Sequence, residues 1–306
     1  MPFTLSYHDF MGAQAKVAVI TRTRDRPLLL SRAIRSVVRQ SFADWEMIIV
    51  NDGGERGAVR RAVDEHRTES RDRIRIVHNE VPRGRGFSCN AGIRNTQSDY
   101  IVVHDDDDTW EPDFLARCVS ALESATNDER IKGVVSQEMQ IEEYITGNEV
   151  IATMKKRYDP ALEGLVPYSQ MLMHNLYQPI AFLYSRSVHE SIGYYDDTLR
   201  AAEDWEFNIR FLRRYDILAL PEILANYHIR PQTSDGPYGN SVVMEKELHK
   251  KSSIGVSNEL LRDDLDAGRF GVGAMMGLLK GLRCLEKRID QLALRVDALS
   301  KRERGS

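Results

Sequence analysis

Cysteine is scarce in this chain. Its 306 residues hold three, Cys89, Cys118 and Cys284, far apart and with no CxxC pair. That excludes a disulfide scaffold and a cysteine zinc knuckle, and it fits a reducing cytosol. A basic excess is also missing: 46 acidic residues stand against 42 Lys plus Arg, a net charge of -4. A general nucleic-acid binder carries the opposite balance, so no nucleic-acid partner is expected. Long apolar runs are absent. The longest loosely apolar stretch, Gly271 to Leu279, has nine residues, where a bilayer span needs ~20. Met1 to Ala15 shows neither the basic n-region nor the apolar h-region of a signal peptide. The expectation is a soluble cytoplasmic protein, in at most peripheral contact with the inner face of a membrane. What remains is ample for a core: 42% hydrophobic against 29% charged residues, in a length that permits one large domain or two small ones.

Short apolar runs alternate with helical patterns over the first 125 residues. Lys16 to Thr21 reads as a buried strand ending in the turn Arg24-Asp25-Arg26-Pro27. Leu30, Ala33, Ile34, Val37 and Val38 follow at helical spacing, with Pro27 placed to open the helix. Glu46 to Val50 is a second strand, closed by Asn51-Asp52-Gly53-Gly54, and Ile74 to Val77 is a third. The glycine-rich turn Arg83 to Gly86 leads into a short helix, and Tyr100 to His104 is a fourth strand. Asp113 to Ser124 and Glu203 to Tyr215 are helical. Such repeats predict an α/β fold with a mostly parallel sheet and flanking helices. Residues 130 to 200 read as less regular, since Gly133, Gly147, Pro160, Gly164, Pro167 and Pro179 interrupt any long element. Ile217 to Leu220 reads as a strand, and beyond Pro231 the pattern turns to polar loop and then helix. The expected division is a domain over 1–230 and a C-terminal helical region over 231–306.

Ligands of open α/β sheets bind outside the carboxyl ends of the strands. Asp25, Asp52 and Asp105-Asp106-Asp107-Asp108 all sit at such ends. Adjacent carboxylates repel one another unless a cation offsets them, and hard oxygen ligands suit Mg2+ or Mn2+. A solvated acidic turn is the plainer alternative. The apolar strand before the run and Thr109-Trp110-Glu111-Pro112 after it favour a metal site.

Four ordered segments resemble the family 2 inverting glycosyltransferases, which have the GT-A fold. These are Val19 to Pro27, Trp45 to Gly54, His104 to Pro112 (a DxD segment) and Ala202 to Arg210 (an ED helix). Together the resemblance covers about Lys16 to Arg230. It implies that Thr23 and Asp52 line a nucleotide pocket, Asp52 accepting a hydrogen bond from the base. It also implies that Asp105 approaches the ribose, with Asp106 beside it, and that Asp107 ligates a divalent metal bridging a diphosphate. Arg24 stands where the family commonly has an aromatic against the base. Arg83 and Arg85 fall in the segment that precedes the DxD strand and are candidate donor contacts.

Glu203-Asp204 opens a helix, near its positive end. On pattern alone the pair serves equally as helix cap or as base. The resemblance implies Asp204 as the base that deprotonates an acceptor hydroxyl, with Glu203 orienting it or touching the acceptor. Tyr227-His228-Ile229-Arg230 falls where the family has a Tyr-Arg-x-His stretch, so His228 is a candidate metal ligand and Arg230 a candidate diphosphate contact. The implied activity is metal-dependent, inverting transfer from a nucleotide-sugar, UDP-sugar first, to a glycan or lipid-linked acceptor in surface polysaccharide or glycoconjugate synthesis. A sugar nucleotidyltransferase is disfavoured because Thr21 to Pro27 has no glycine. The other rival is a non-catalytic subunit that binds nucleotide-sugar or scaffolds a glycan assembly complex.

Met275, Leu278, Leu282, Leu285, Ile289, Leu292, Val296 and Leu299 recur at alternating spacings of three and four. That heptad seam predicts a coiled coil and a homo-oligomer, dimer or trimer, through residues 275 to 299. The alternatives are a helix folded back on its own domain and a basic helix lying on a membrane surface.

Overall fold

A computed structural model describes residues 14–303, apart from 126, 148, 159, 160, 234, 235, 237, 269 and 270. Most of the Met1 to Ala15 segment and residues 304–306 lie outside the described residues, as do the side chains of Leu299 and the rest of the polar tail.

The chain runs β1 (Val17–Thr23), α1 (Pro27–Val38), β2 (Trp45–Asp52), α2 (Arg56–Asp64), β3 (Ile74–Asn79), α3 (Arg85–Arg94), β4 (Tyr100–Val103), β5 (Thr109–Trp110) and α4 (Phe114–Ser124). It continues through β6 (Ile131–Thr146), β7 (Glu149–Arg157), β8 (Gly164–Leu165), β9 (Phe182–Ser185), α5 (Glu203–Leu212), β10 (Asp216–Ile229), α6 (Lys246–Asp266) and α7 (Val272–Glu303), with one-turn helices between some of these. Pro27 occupies the first turn of α1, where its missing N–H costs no hydrogen bond. The helix buries Leu29, Leu30, Ala33, Ile34 and Val37 along one stripe. β1 and β2 are buried almost throughout, the pattern of strands covered on both faces.

One sheet organises the molecule, in the order β3-β2-β1-β4-β9-β6-β10-β5. Its first four strands are parallel, as expected. Beyond β4 the sheet is mixed, because β9 enters antiparallel between β4 and β6 while β10 runs parallel to β6. Strand order reverses at β1: β2 and β3 lie to one side of it and β4 to the other. The carboxyl ends of β1 and β4 therefore open a crevice at a topological switch point.

Two expectations change. Residues 131–157 form a long antiparallel ribbon, β6 with β7, where irregular chain was predicted. Gly133 lies inside β6 and does not end it, because a Cβ there would run into the ring of Phe182. The glycine serves close packing, not a turn. Likewise, β10 extends over fourteen residues, well past the predicted Ile217 to Leu220. Pro221, which would end a regular strand, sits at a register shift between Ala219 and Ile223, the kind of irregularity that tolerates proline.

The C-terminal region is not detached. α6 and α7 form an antiparallel pair so close at Gly273 that a Cβ would strike the backbone of Leu261, and Asp264 accepts from the Gly273 amide at 2.9 Å. Val256 of α6 and Met276 of α7 are buried in the main core. Among the described residues, no helix is long and apolar enough to cross a membrane.

Candidate active site

A cavity of about 970 Å3 occupies the switch point. Thr23, Arg24, Asp52, Asp105, Asp106 and Asp107 form one side of it, and Glu203, Asp204 and Trp205 another. The sequence candidates from β1, β2, β4 and α5 thus converge on one cleft.

The aspartate run is held between two anchors. At its start, the His104 amide donates to the Ile20 carbonyl at 2.9 Å and extends the β4–β1 ladder. At its end Trp110 donates from Nε1 to the Ile180 carbonyl at 2.8 Å and stacks on Phe114 at 4.4 Å. Within that frame the four carboxylates have different environments. Burial opposes ionisation of Asp105, but Arg22 outweighs it at 2.5 Å and holds its pKa below the ordinary value. Asp106, bonded to Thr23 Oγ1 at 2.7 Å, is pushed up to about 6 by burial and by the Asp107 charge, against the pull of Arg26. Asp107 Oδ2 meets Arg26, the buried Arg230 and Asn240 Nδ2. Asp108 turns inward and accepts from the His228 amide at 2.8 Å. Burial and the neighbouring aspartates push its pKa well up.

Asp52 closes the adjoining turn. Its carboxylate accepts from the Arg83 and Gly84 amides at 2.8 and 2.9 Å and from Asn79 Nδ2 at 2.8 Å. Gly53 makes the turn possible: its φ is +75° and a Cβ would collide with Pro82. Asp52 thereby fixes the Arg83–Gly84 backbone to the cleft wall. Arg83 itself departs from expectation. Its guanidinium lies 3.9 Å over the Phe87 ring, outside the cleft lining, and Arg85 is the arginine that reaches the cavity.

At the start of α5 the paired carboxylates are driven apart. Glu203 Oε1 accepts from Arg22 Nη1 at 3.0 Å and lies 3.3 Å from Arg85 Nε. Those arginines overcome its burial and lower its pKa. Asp204 accepts from Asn175 Nδ2 at 2.8 Å, and among the described residues no arginine or lysine pairs with it. Burial and the Glu203 charge push it up to about 6. Ala202, with φ +64°, turns the chain sharply into the helix, an unusual backbone state for a residue with a Cβ.

His228 does not reach the cleft as a metal ligand, contrary to expectation. Its Nδ1 meets Glu143 Oε2 at 2.7 Å and its Nε2 meets Thr109 Oγ1 at 2.9 Å, so both ring nitrogens are engaged. Burial lowers its pKa, and the neutral ring then donates from Nδ1 and accepts at Nε2. Arg230 is likewise internal, paired with Glu143 Oε1 at 2.6 Å and with Asp107. Among the described residues, no three His, Cys, Asp or Glu side chains converge to hold a metal by themselves. The set does fit a site completed by substrate, since Mg2+ and Mn2+ take one or two carboxylates plus phosphate oxygens. Asp107 lines the cavity for such a role.

Several participants carried no recognised signal in the sequence. Arg22 ties Asp105 to Glu203; an arginine inside the apolar run of β1 was the clue, because a buried guanidinium needs carboxylates. Asn175, Tyr158 and Gln178 line the cleft beside Asp204, and nothing in their sequence spacing marked them. Trp205 is nearly buried and donates to the Met171 carbonyl at 2.6 Å. Cys89 and Cys118 are buried thiols whose pKa burial raises.

Residues 17–186 match the model for glycosyl transferase family 2, more than half of the chain. WcaA of Escherichia coli, a glycosyl transferase assigned provisionally to colanic acid biosynthesis, is 27% identical over 205 residues, 65% of this chain and 67% of its own. TarS 1-349 of S. aureus, solved in complex with UDP-GlcNAc, superposes with a TM-score of 0.61 at 16% identity, over 87% of this chain and 70% of that one. Against a longer TarS chain the match spans 40% of that chain's length. The mannosyltransferase PcManGT of Pyrobaculum calidifontis, solved with GDP-Man and Mn2+, superposes with a TM-score of 0.53 at 16% identity, covering 88% of this chain and 80% of its own. The structural likenesses establish the GT-A fold, and the family match establishes the class: this chain belongs to glycosyl transferase family 2 and is a glycosyltransferase.

Proposed function

We propose that the protein transfers a sugar, with inversion, from a nucleotide-sugar to an acceptor hydroxyl, and that it needs a divalent cation to do so. The observation carrying this reading is that Asp105 to Asp107 and the Glu203–Asp204 pair face one cleft from opposite elements. Thr23, Arg24 and Asp52 lie at the nucleoside end, with Asp105 and Asp106 beside them. Asp107 is the residue that would hold Mn2+ or Mg2+ against the donor diphosphate. When bound, such a cation offsets the charge gained by the leaving diphosphate.

Asp204 is the base. A carboxylate raised to about 6 is ionised at neutral pH yet basic enough to take a hydroxyl proton. Glu203 positions it: held ionised by Arg22 and Arg85, it raises Asp204 and locks Arg22 against Asp105. Attack by the acceptor oxygen forms the new glycosidic bond while the sugar–phosphate bond breaks. The hydroxyl proton passes to Asp204, and the nucleoside diphosphate leaves from the opposite face.

A UDP-sugar is the first donor to test, in keeping with TarS, solved in complex with UDP-GlcNAc; PcManGT, solved with GDP-Man and Mn2+, makes a GDP-sugar the second. A glycan or lipid-linked acceptor in surface polysaccharide synthesis is in keeping with WcaA, assigned provisionally to colanic acid biosynthesis. We further propose self-association through residues 275–299. Met275, Leu278, Leu282, Leu285, Ile289, Leu292 and Val296 are all 46–63% exposed along one face of α7, and a second copy of that seam is the partner its heptad spacing fits.

The deciding experiment measures thermal stabilisation by a panel of nucleotide-sugars with Mn2+, Mg2+ or EDTA, since binding raises apparent stability. NMR of any product then reads its anomeric configuration. Stabilisation independent of the cation would remove the metal from the reading, and a retained anomer would remove inversion.

A further inference from the structure

The cleft has a wall that belongs to none of the residues discussed so far. Met244, Glu245, His249 and Ser253, the last two on α6, and Lys280 on α7 line the same cavity as Asp107 and Asp204. α7 presents two faces here. One is the exposed seam; the other carries Met276, Lys280 and Arg283 onto the catalytic domain, and Arg283 donates to His174 Nδ1.

Lys280 is the unusual member of that wall. Its ammonium stands 4.9 Å from the centroid of the Trp205 indole and donates to Ser257 Oγ at 2.6 Å. Among the described residues no carboxylate pairs with it. Burial alone acts on its pKa, in the downward direction. An ammonium has three donors, and a lysine serving only as surface charge extends its head into water. Lys280 instead lines the cavity and holds its head over the indole of the residue next to the proposed base. Partial burial of a cation without an anion is costly, and a charge-assisted hydrogen bond from an anionic group would offset that cost.

We propose that Lys280 marks a subsite for an anionic group of the acceptor, a phosphate or a carboxylate, so that the C-terminal helical pair completes the acceptor half of the active site. This rests on the glycosyltransferase reading above and names the substrate class for it. Its position supports acceptor over donor. Lys280 packs beside Trp205 at the Asp204 end, whereas Thr23 and Asp52 hold the nucleoside end at β1 and β2.

The test uses full-length protein saturated with Mg2+ and with whichever of UDP or GDP raises its melting temperature, titrated with inorganic phosphate in a calorimeter. Filling the donor site removes the diphosphate position as a phosphate site. Wild-type protein is expected to bind phosphate under these conditions. Lys280→Met, which keeps the aliphatic stem over Trp205, should weaken that binding about 10-fold or more, equivalent to one charge-assisted hydrogen bond. Lys280→Arg should restore most of it, and neither variant should change nucleotide affinity. Equal phosphate affinity in wild type and Lys280→Met, or no phosphate binding by wild type, would overturn the proposal. So would phosphate binding that disappears on nucleotide loading, because Lys280 would then serve the donor diphosphate. Failure of both nucleotides to bind would instead strike the donor reading, and titration of unloaded protein would still compare the two side chains at position 280.

Discussion

Arg22 donates to Glu203 at 3.0 Å across 181 residues of sequence, joining the end of β1 to the first turn of α5. The same guanidinium holds Asp105 at 2.5 Å. One buried cation thus couples Asp105 to Glu203, the carboxylate next to the proposed base Asp204.

Glu203→Gln removes the charge that helps raise Asp204. Asp204 works ionised, so turnover rises with pH through about 6 and then levels. Without the Glu203 charge its pKa falls, and the acid limb of the pH–rate profile should move to lower pH. An unmoved limb would detach Glu203 from Asp204.

Asp204→Asn is nearly isosteric and keeps a partner for Asn175. Nucleotide and cation binding should survive, while turnover falls at least ~10²-fold, the lower end of general-base assistance. Near-normal turnover would place the base elsewhere.

Asp107→Asn should abolish cation-dependent donor binding in a thermal-shift titration. It also removes an anion from Arg230, which is fully buried. A lower melting temperature is expected even without ligand, since breaking a buried ion pair costs about 3–5 kcal/mol. Donor affinity indifferent to EDTA in wild type would end the metal assignment.

Glu143 offers a pH test of the fold. Burial raises its pKa, but hydrogen bonds from His228 and Arg32 prevail and hold it at about 2. A depressed carboxylate contributes stability that is complete above its unfolded value of 4.5 and lost as pH falls toward 2. Wild type should therefore lose more stability between those values than Glu143→Gln does, by chemical denaturation at each pH.

Leu285→Glu with Ile289→Glu should yield monomers in sedimentation without lowering the melting temperature of the catalytic domain, because both side chains are more than half exposed. Wild-type protein that is itself monomeric at micromolar concentration would refute the seam.

The sequence was most legible where one local rule sufficed. Pro27 opened α1, Gly53 marked the Asp52 turn, and acidic residues at strand ends located the cleft. It was least legible where a residue answers to a distant partner. Gly133 read as a breaker because Phe182, 49 positions later, was invisible. His228 read as a ligand because neither Glu143 nor Thr109 is near it in sequence. Arg83 and Arg85 were indistinguishable by pattern, and only the stacking of Arg83 on Phe87 separated them. Lys280 lies off the heptad seam, and no pattern in the sequence tells its inward-facing position from a solvated one.

α7 runs without interruption from Val272 to Glu303, and its last contact named here with the catalytic domain is Arg283. The twenty residues beyond form a rod of about 30 Å at 1.5 Å per residue. In an assembly whose copies pair antiparallel through the seam, that rod is a ruler: it sets how far apart along the helix axis the two clefts stand. Deleting one heptad between residues 284 and 296 would shorten the standoff by about 10 Å while keeping the apolar face in phase. Deleting two residues would instead swing the face through more than half a turn, and the two halves of the seam would no longer lie on one side of the helix.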